Sequence, residues 1–369
     1  WFGTRNDDLR GLGDWYVNEK KLKGGLSHLI ERVNALGLKF GIWYEPEMVN
    51  PDSDLYRAHP DWAIRAKGRE HSISRYQCVL DMTRKDVRDN IFQQMYEVLS
   101  QNKIDYIKWD CNRNITEAAS ATLPPERQGE FFHRYVLGVY DLMDRITTAF
   151  PHILLENCSS GGCRFDAGML YYAPQIWTSD NTDPIQRLFI QYGYSFFYPA
   201  KSMSAHVTTW NKNASIKFRT DVAMMGKLGF DIKLSDMSGD DLTYCQGAVK
   251  NYKRLRPAIM EGDLYRLVSP YDGTRSHAAN QFVSKDKNKA VVFAFDVYPG
   301  YGEKILPVRL EGLDAGKQYR VKEINLMPNQ GSSLEGNDRV FSGDYLMKVG
   351  LNLLTGNKLY SRVVEITAE

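Results

Sequence analysis

A chain of 369 residues, 43% hydrophobic and 25% charged, has a soluble globular composition and enough length for two domains. Its 47 basic and 45 acidic residues nearly cancel, to +2, which removes the electrostatic case for nucleic acid or an anionic membrane as partner. No apolar run approaches the roughly 20 residues of a membrane span. The five cysteines (Cys78, Cys111, Cys158, Cys163 and Cys245) form no CxxC pair, so reduced thiols in a cytoplasm are expected rather than a zinc site or disulfide framework.

In chain order, Leu26, Leu29, Ile30 and Val33 recur at helical spacing, and Gly37 stands where a helix ends. Leu38 to Tyr44 reads as a buried strand stopped at Glu45-Pro46-Glu47. A turn-rich loop follows from Asn50 to Tyr76. Thr83 and Asp86 predict a capping box for a helix with Val87, Ile91, Met95 and Val98 on one face. The alternation continues with a strand over 104–110, a helix over 130–149 and strands at 153–155 and 175–178. Pro184 then suits the first position of a helix over 185–192. A strand within 196–207, a helix over 215–227, a strand over 230–234 and a helix over 241–255 complete the series.

Strands separated by such helices predict an α/β protein with parallel strands. Polar, unusual residues sit repeatedly at the strand C-terminal ends, and no GxGxxG or P-loop glycine pattern follows any strand. A (β/α)8 TIM-type barrel over 1–258 is therefore expected, with six of its strands recognisable. From 259 to 369 short β runs at 290–295, 319–324 and 362–366 predict a small antiparallel β-sandwich domain, whose expected role is packing. Trp1-Phe2-Gly3 reads as the interior of a fold, so the chain is expected to lack the first barrel strands.

Two stretches concentrate the chemistry. In 105–112 a strand delivers Lys108, Asp110 and Asn112 to one face at its C-terminal end. A buried ion pair and a functional group are both consistent with these residues alone. The second stretch is Trp177-Thr178-Ser179-Asp180-Asn181-Thr182-Asp183. Two carboxyls at the ends of two barrel strands suit glycosidic cleavage, one attacking the sugar while the other protonates the departing oxygen. Asp183, rather than Asp180, fits the helix N-cap before Pro184.

Tyr106-Ile107-Lys108-Trp109-Asp110-Cys111-Asn112 and 177–183 resemble the two catalytic signatures of glycoside hydrolase family 36. Gly41 to Met48 and Glu156 to Gly162 resemble two further motifs of that family, in order. The resemblance implies a bacterial retaining α-galactosidase that releases terminal α-1,6-linked galactose from melibiose, raffinose or stachyose. It implies no cofactor, no metal and no nicotinamide. Asp110 takes the nucleophile position and Asp180 the acid/base position. Trp43, Arg75, Lys108, Asn112, Cys158 and Gly161 take sugar-contacting positions: Trp43 as a stacking surface, Arg75 and Asn112 as hydroxyl partners, and Cys158 beside Gly161 as room for the 2-hydroxyl. Lys108 is expected to hold Asp110 ionised. Glu45 and Glu47 are read as supports, and His206 as structural.

The family's pattern carries an Asp-Asp pair just before the tryptophan that is Trp1 here, and an N-terminal β domain; both are expected to be absent. Members are often homotetramers. The alternatives are a galactosyl-transferring relative like the raffinose and stachyose synthases, an α-N-acetylgalactosaminidase, and a sugar-binding fragment without turnover.

Overall fold

The computed structural model describes residues 1–210 and 213–369, in two compact units, Trp1–Trp177 and Thr178–Glu369. The first unit alternates helix and strand as the periodicity predicts. Helix α1 (Gly25–Ala35) buries Leu26 and Ile30, and Gly37, at φ 74°, donates its N–H to Asn34 beyond the helix end. Strand β1 (Gly41–Tyr44) follows, then β2 (Met48–Val49), α2 (Asp54–Ala58) and β3 (Cys78–Val79), with β2 and β3 paired antiparallel. Next come α3 (Lys85–Gln101), β4 (Tyr106–Trp109), α4 (Phe131–Ala149), β5 (Leu154–Asn157), α5 (Ala167–Tyr172) and β6 (Gln175–Trp177). Strands β1, β4, β5 and β6 lie side by side in that order and run parallel, so their C-terminal ends share one edge.

Helix α3 buries Val87, Ile91, Met95 and Val98, as its spacing predicts. Its start differs from expectation. The helix begins after Arg84 without a side-chain cap. The Thr83 hydroxyl donates to Asp81 (2.6 Å) instead of the helix end, and Asp86 pairs with Arg84 (2.7 Å). A neighbouring carboxylate thus outcompetes the capping box. The Asn50–Tyr76 loop also holds more structure than its turn residues signal. Ser53 Oγ caps α2 by accepting from Tyr56 N, and Asp14 accepts from both Asp54 N and Leu55 N.

The second unit contains α6 (Pro184–Tyr194), β7 (Met203–Thr208), α7 (Ile216–Ala223), β8 (Lys227–Asp231) and α8 (Gly239–Glu261), with β7 and β8 parallel. Strand β8 begins three residues before the expected 230, because α7 ends at Ala223 and Gly226 passes close to the Met203 carbonyl, where a Cβ would come within 2.8 Å. Strands β9 (Asp263–Val268), β10 (His277–Val283), β11 (Lys289–Asp296), β12 (Gln318–Ile324) and β13 (Val340–Ser342), helix α9 (Gly343–Lys348) and strand β14 (Tyr360–Ala368) complete the chain. The six strands form one antiparallel sheet in the order β13-β12-β14-β11-β10-β9. One of its faces is covered by a core that includes Val292, Leu310, Tyr319, Leu346 and Val364.

The packing of α4 in the first unit depends on a single missing side chain. A Cβ on Gly138 would fall 1.9 Å from the Met82 carbonyl oxygen, which also accepts a hydrogen bond from Arg88 Nη1 (2.7 Å). Alanine gains about 1 kcal/mol of helix propensity over glycine, whereas overpacking costs about 1–3 kcal/mol and here meets backbone rather than a flexible side chain. Gly138→Ala is expected to lower stability by about 2 kcal/mol in urea unfolding; a gain in stability would contradict this packing.

Candidate active site

The shared edge of β1, β4 and β5 gathers Trp43, Lys108, Asp110, Asn112 and Cys158. Asp110 follows the last residue of β4 and is buried, 8% exposed. One carboxylate oxygen, Oδ2, accepts the indole N–H of Trp43 at 3.0 Å. The other, Oδ1, accepts the backbone N–H of Cys111 at 3.0 Å. Trp43 is the β1 residue in register with Lys108 and is half-buried, its ring packed on Phe2 and Trp15. Cys158 lies beside Asp110, and burial together with the Asp110 charge pushes its thiol's pKa up, so it stays neutral.

Lys108 differs in part from its expected role. Its ammonium forms an ion pair with Glu156 of β5 at 3.4 Å and lies 4.9 Å over the Trp177 ring. Burial works against its charge, but the Glu156 charge, with that of Asp110, more than offsets this and raises its pKa. Asp110 is held mainly by two N–H donors and only at longer range by this cation. Glu156 also accepts from Tyr106 Oη and Gln175 Nε2.

Asn112 is anchored through its backbone. Its N–H donates to Glu45 Oε1 (2.6 Å), its carbonyl accepts from Arg75 Nη1 (3.5 Å), and its side-chain oxygen accepts from Ser160 Oγ (3.5 Å). Arg75 comes from a two-residue turn closed by Ser74 and Gln77, with φ 53° at Arg75 and 60° at Tyr76. Positive φ at both central residues normally selects Asn-Gly or Gly-Gly; an Arg-Tyr pair there costs about 1–2 kcal/mol per residue. Asn50 Nδ2 donates to the Tyr76 carbonyl (2.7 Å) and helps to hold the turn. Gly161 has φ 90°, a conformation suited to glycine, and its carbonyl accepts from Ser159 N.

Glu45 and Glu47 act as supports, and the structure adds partners with no local sequence signal. Glu47, fully buried, accepts Trp109 Nε1 (3.0 Å), Tyr135 Oη (2.9 Å) and Arg164 Nη1 (2.9 and 3.0 Å). Arg164 reaches Glu47 from 117 residues away and also donates to Ser159 Oγ (2.5 Å), which fixes the loop after Cys158.

In the second unit, Asp180 is exposed on the bend that precedes α6. Asp183 is the α6 N-cap, accepting from Ile185 N and Gln186 N, and Pro184 is the first helical residue, as expected. The 178–183 loop is tied down by buried Arg187, which donates to the carbonyls of Ser179 (3.1 Å) and Ser204 (2.6 Å). Burial pushes the Arg187 guanidinium down to about 10. Among the described residues, no group of three or more His, Cys, Asp or Glu is arranged to hold a metal ion. No helix there is long and apolar enough to cross a membrane.

The family model described as Melibiase matches residues 1–262, and the Glycosyl hydrolase family 36 C-terminal domain matches 277–366. The chain belongs to glycoside hydrolase family 36. Alpha-galactosidase AgaA of Geobacillus stearothermophilus is 46% identical over 358 residues, 96% of this chain and 47% of that protein. Alpha-galactosidase 1 of Pediococcus pentosaceus is 45% identical over 355 residues, 95% of this chain and 46% of that protein. The crystal structure of a doubly substituted variant of the Geobacillus family 36 enzyme AgaA in complex with raffinose superposes with a TM-score of 0.92 at 44% identity, covering all of this chain and 50% of that one. The chain thus spans about half the length of the curated relatives it matches. This likeness carries the family's α/β barrel fold and trailing β domain to the present chain.

Glu45, beside Asp110, has a carboxyl whose protonation reaches into the neutral range. Glu45 is 1% exposed. Burial, then the nearby Asp110 charge, pushes its carboxyl up to about 7, opposed by the Asn112 N–H, Arg75 and Arg5. Because the folded value exceeds the ordinary 4.5, the associated stability is complete below about pH 4.5 and is lost as pH rises through about 7. At about 1.4 kcal/mol per unit this is about 3 kcal/mol. Glu45→Gln keeps an acceptor for Asn112 N–H but cannot ionise. Its Tm relative to the parent is expected to rise between about pH 5 and about pH 7 and to level off above that; a pH-independent difference would contradict the assignment.

Proposed function

We propose that this chain carries the catalytic machinery of a retaining α-galactosidase acting on terminal α-1,6-linked galactose. The observation that carries this reading is the Asp110 carboxylate, oriented by the Trp43 indole and the Cys111 N–H, with Lys108, Asn112, Arg75 and Cys158 gathered around it. The relatives' activity and the raffinose and stachyose complexes of the Geobacillus enzyme supply the substrate class. The catalytic domain is taken as 1–258 and the β domain as 259–369, in line with the two family matches.

In the first step the Asp110 carboxylate attacks the anomeric carbon as the glycosidic bond breaks, and Asp180 gives its proton to the departing oxygen. The product is a galactosyl ester of Asp110. In the second step Asp180 takes a proton from water, the water oxygen attacks the same carbon, and Asp110 leaves, so the configuration is retained. Two fixed donors hold the Asp110 carboxylate in one orientation, and a nucleophile held in a reactive geometry gains rate. Trp43 offers its ring to the apolar face of galactose. Arg75, Lys108 and Asn112 bind hydroxyls, while Cys158 and the tight Gly161 turn leave space at the 2-position. The reaction uses no cofactor. The five free thiols fit a cytoplasmic enzyme, and the family resemblance favours a homo-oligomer.

Hydrolysis of an aryl α-galactoside tests the reading, with Asp180→Ala measured beside the parent. The parent is expected to release the phenol. The variant is expected to fall by roughly a hundredfold or more on poor leaving groups, the usual contribution of a positioned acid, and to be partly restored by azide with formation of galactosyl azide of the substrate's configuration. A folded parent that leaves every α-galactoside intact would overturn the proposal.

A further inference from the structure

Six of the seven tryptophans, Trp1, Trp15, Trp43, Trp62, Trp109 and Trp177, are buried or half-buried. Trp210 is not: it is 62% exposed. It stands two residues beyond the C-terminal end of β7, on a strand end where barrel proteins place their sites. Among the described residues no aromatic ring or cation packs against it. Leaving so large an aromatic face in water has no packing rationale.

The side chain is nevertheless held in place. The Trp210 indole N–H donates to Thr182 Oγ1 at 2.9 Å. Thr182 Oγ1 in turn shares a hydrogen bond of 2.8 Å with Thr208 Oγ1, and Thr208 Oγ1 reaches the Trp210 carbonyl at 3.2 Å. Asn213 Nδ2 donates to Asp183 Oδ2 at 2.9 Å, so Asn213 is fastened to the same loop. The one polar atom of the indole is therefore occupied at its edge, while most of the side chain stays exposed.

We infer that Trp210 is the platform for the sugar released in the reaction, stacking on the C–H face of the pyranose beyond the scissile bond. The argument rests on the α-galactosidase reading above and extends it. An acid catalyst must reach the glycosidic oxygen, and that oxygen belongs to the leaving sugar, so the leaving ring lies beside the acid. Trp210 is tied to Thr182, two residues along the chain from Asp180. A planar, preorganised face there loses little side-chain entropy on binding, which is why tryptophan so often dominates recognition sites. Trp210 would thus select disaccharides and longer α-galactosides over substrates without a second ring.

The test compares melibiose, whose leaving group is a hexose, with α-galactosyl fluoride, whose leaving group has no ring. In Trp210→Ala, the ratio of kcat/KM for melibiose to that for the fluoride is expected to fall about tenfold, the effect of losing one well-packed aromatic contact. Trp210→Phe, which keeps a stacking face, is expected to recover most of the ratio. A ratio unchanged in both variants overturns the platform while leaving the α-galactosidase reading intact. A parent that hydrolyses neither substrate overturns that reading, and the platform with it.

Discussion

A carboxylate buried at the end of β1 governs the site in the first unit. Glu47 is fully shielded from water, where an unpaired charge is not tolerated. It is accommodated because an indole, a phenol and a guanidinium converge on it from β4, α4 and the loop after β5. Removing one member of such a cluster strands the others and typically costs about 3–5 kcal/mol. Its further consequence is positional. The strand ends that carry Trp43, Asp110 and Cys158 are joined by charge-assisted bonds whose directions are fixed, and a catalytic group displaced by an ångström loses much of its effect.

The three glutamates around Asp110 show how environment divides one chemical group into different roles. Glu47 has a guanidinium partner. Glu156 has the Lys108 ammonium, with Tyr106 and Gln175 as further donors. Glu45 has a backbone N–H and a long contact from Gln77 (3.4 Å), and it faces Asp110 as a like charge. With such poor compensation, burial pushes the Glu45 carboxyl toward neutrality, and protonating it relieves the repulsion. Lys108 serves as a bridge between Glu156 and the Trp177 ring rather than as a dedicated partner of Asp110.

Much of this was legible in the sequence where consecutive residues carry the signal. The β/α alternation, the face of α3 and the Asp183-Pro184 helix start follow from spacing and turn chemistry. The residues 41–48, 106–112 and 156–162 announce strand ends rich in polar groups. Partners supplied from afar left no local mark: Tyr135 and Arg164 look like ordinary helix and loop residues until the chain brings them to Glu47. The Arg75-Tyr76 turn was also hidden, because neither residue favours positive φ, and tertiary contacts such as the one from Asn50 sustain it. Strand β10 was missed for another reason. All of its residues are buried, so alternation is lost, and its central Gln281 exchanges two hydrogen bonds with the Glu311 backbone instead of facing water.

The central claim is that Asp110 forms a covalent bond to galactose. The most direct measurement is trapping with 2-deoxy-2-fluoro-α-galactosyl fluoride, whose slow second step lets the ester accumulate, followed by mass spectrometry of the digested protein. The account predicts one added fluorogalactosyl group, located on the peptide containing Asp110 and absent from Asp110→Ala. A label on another carboxylate, Glu45 included, would contradict it.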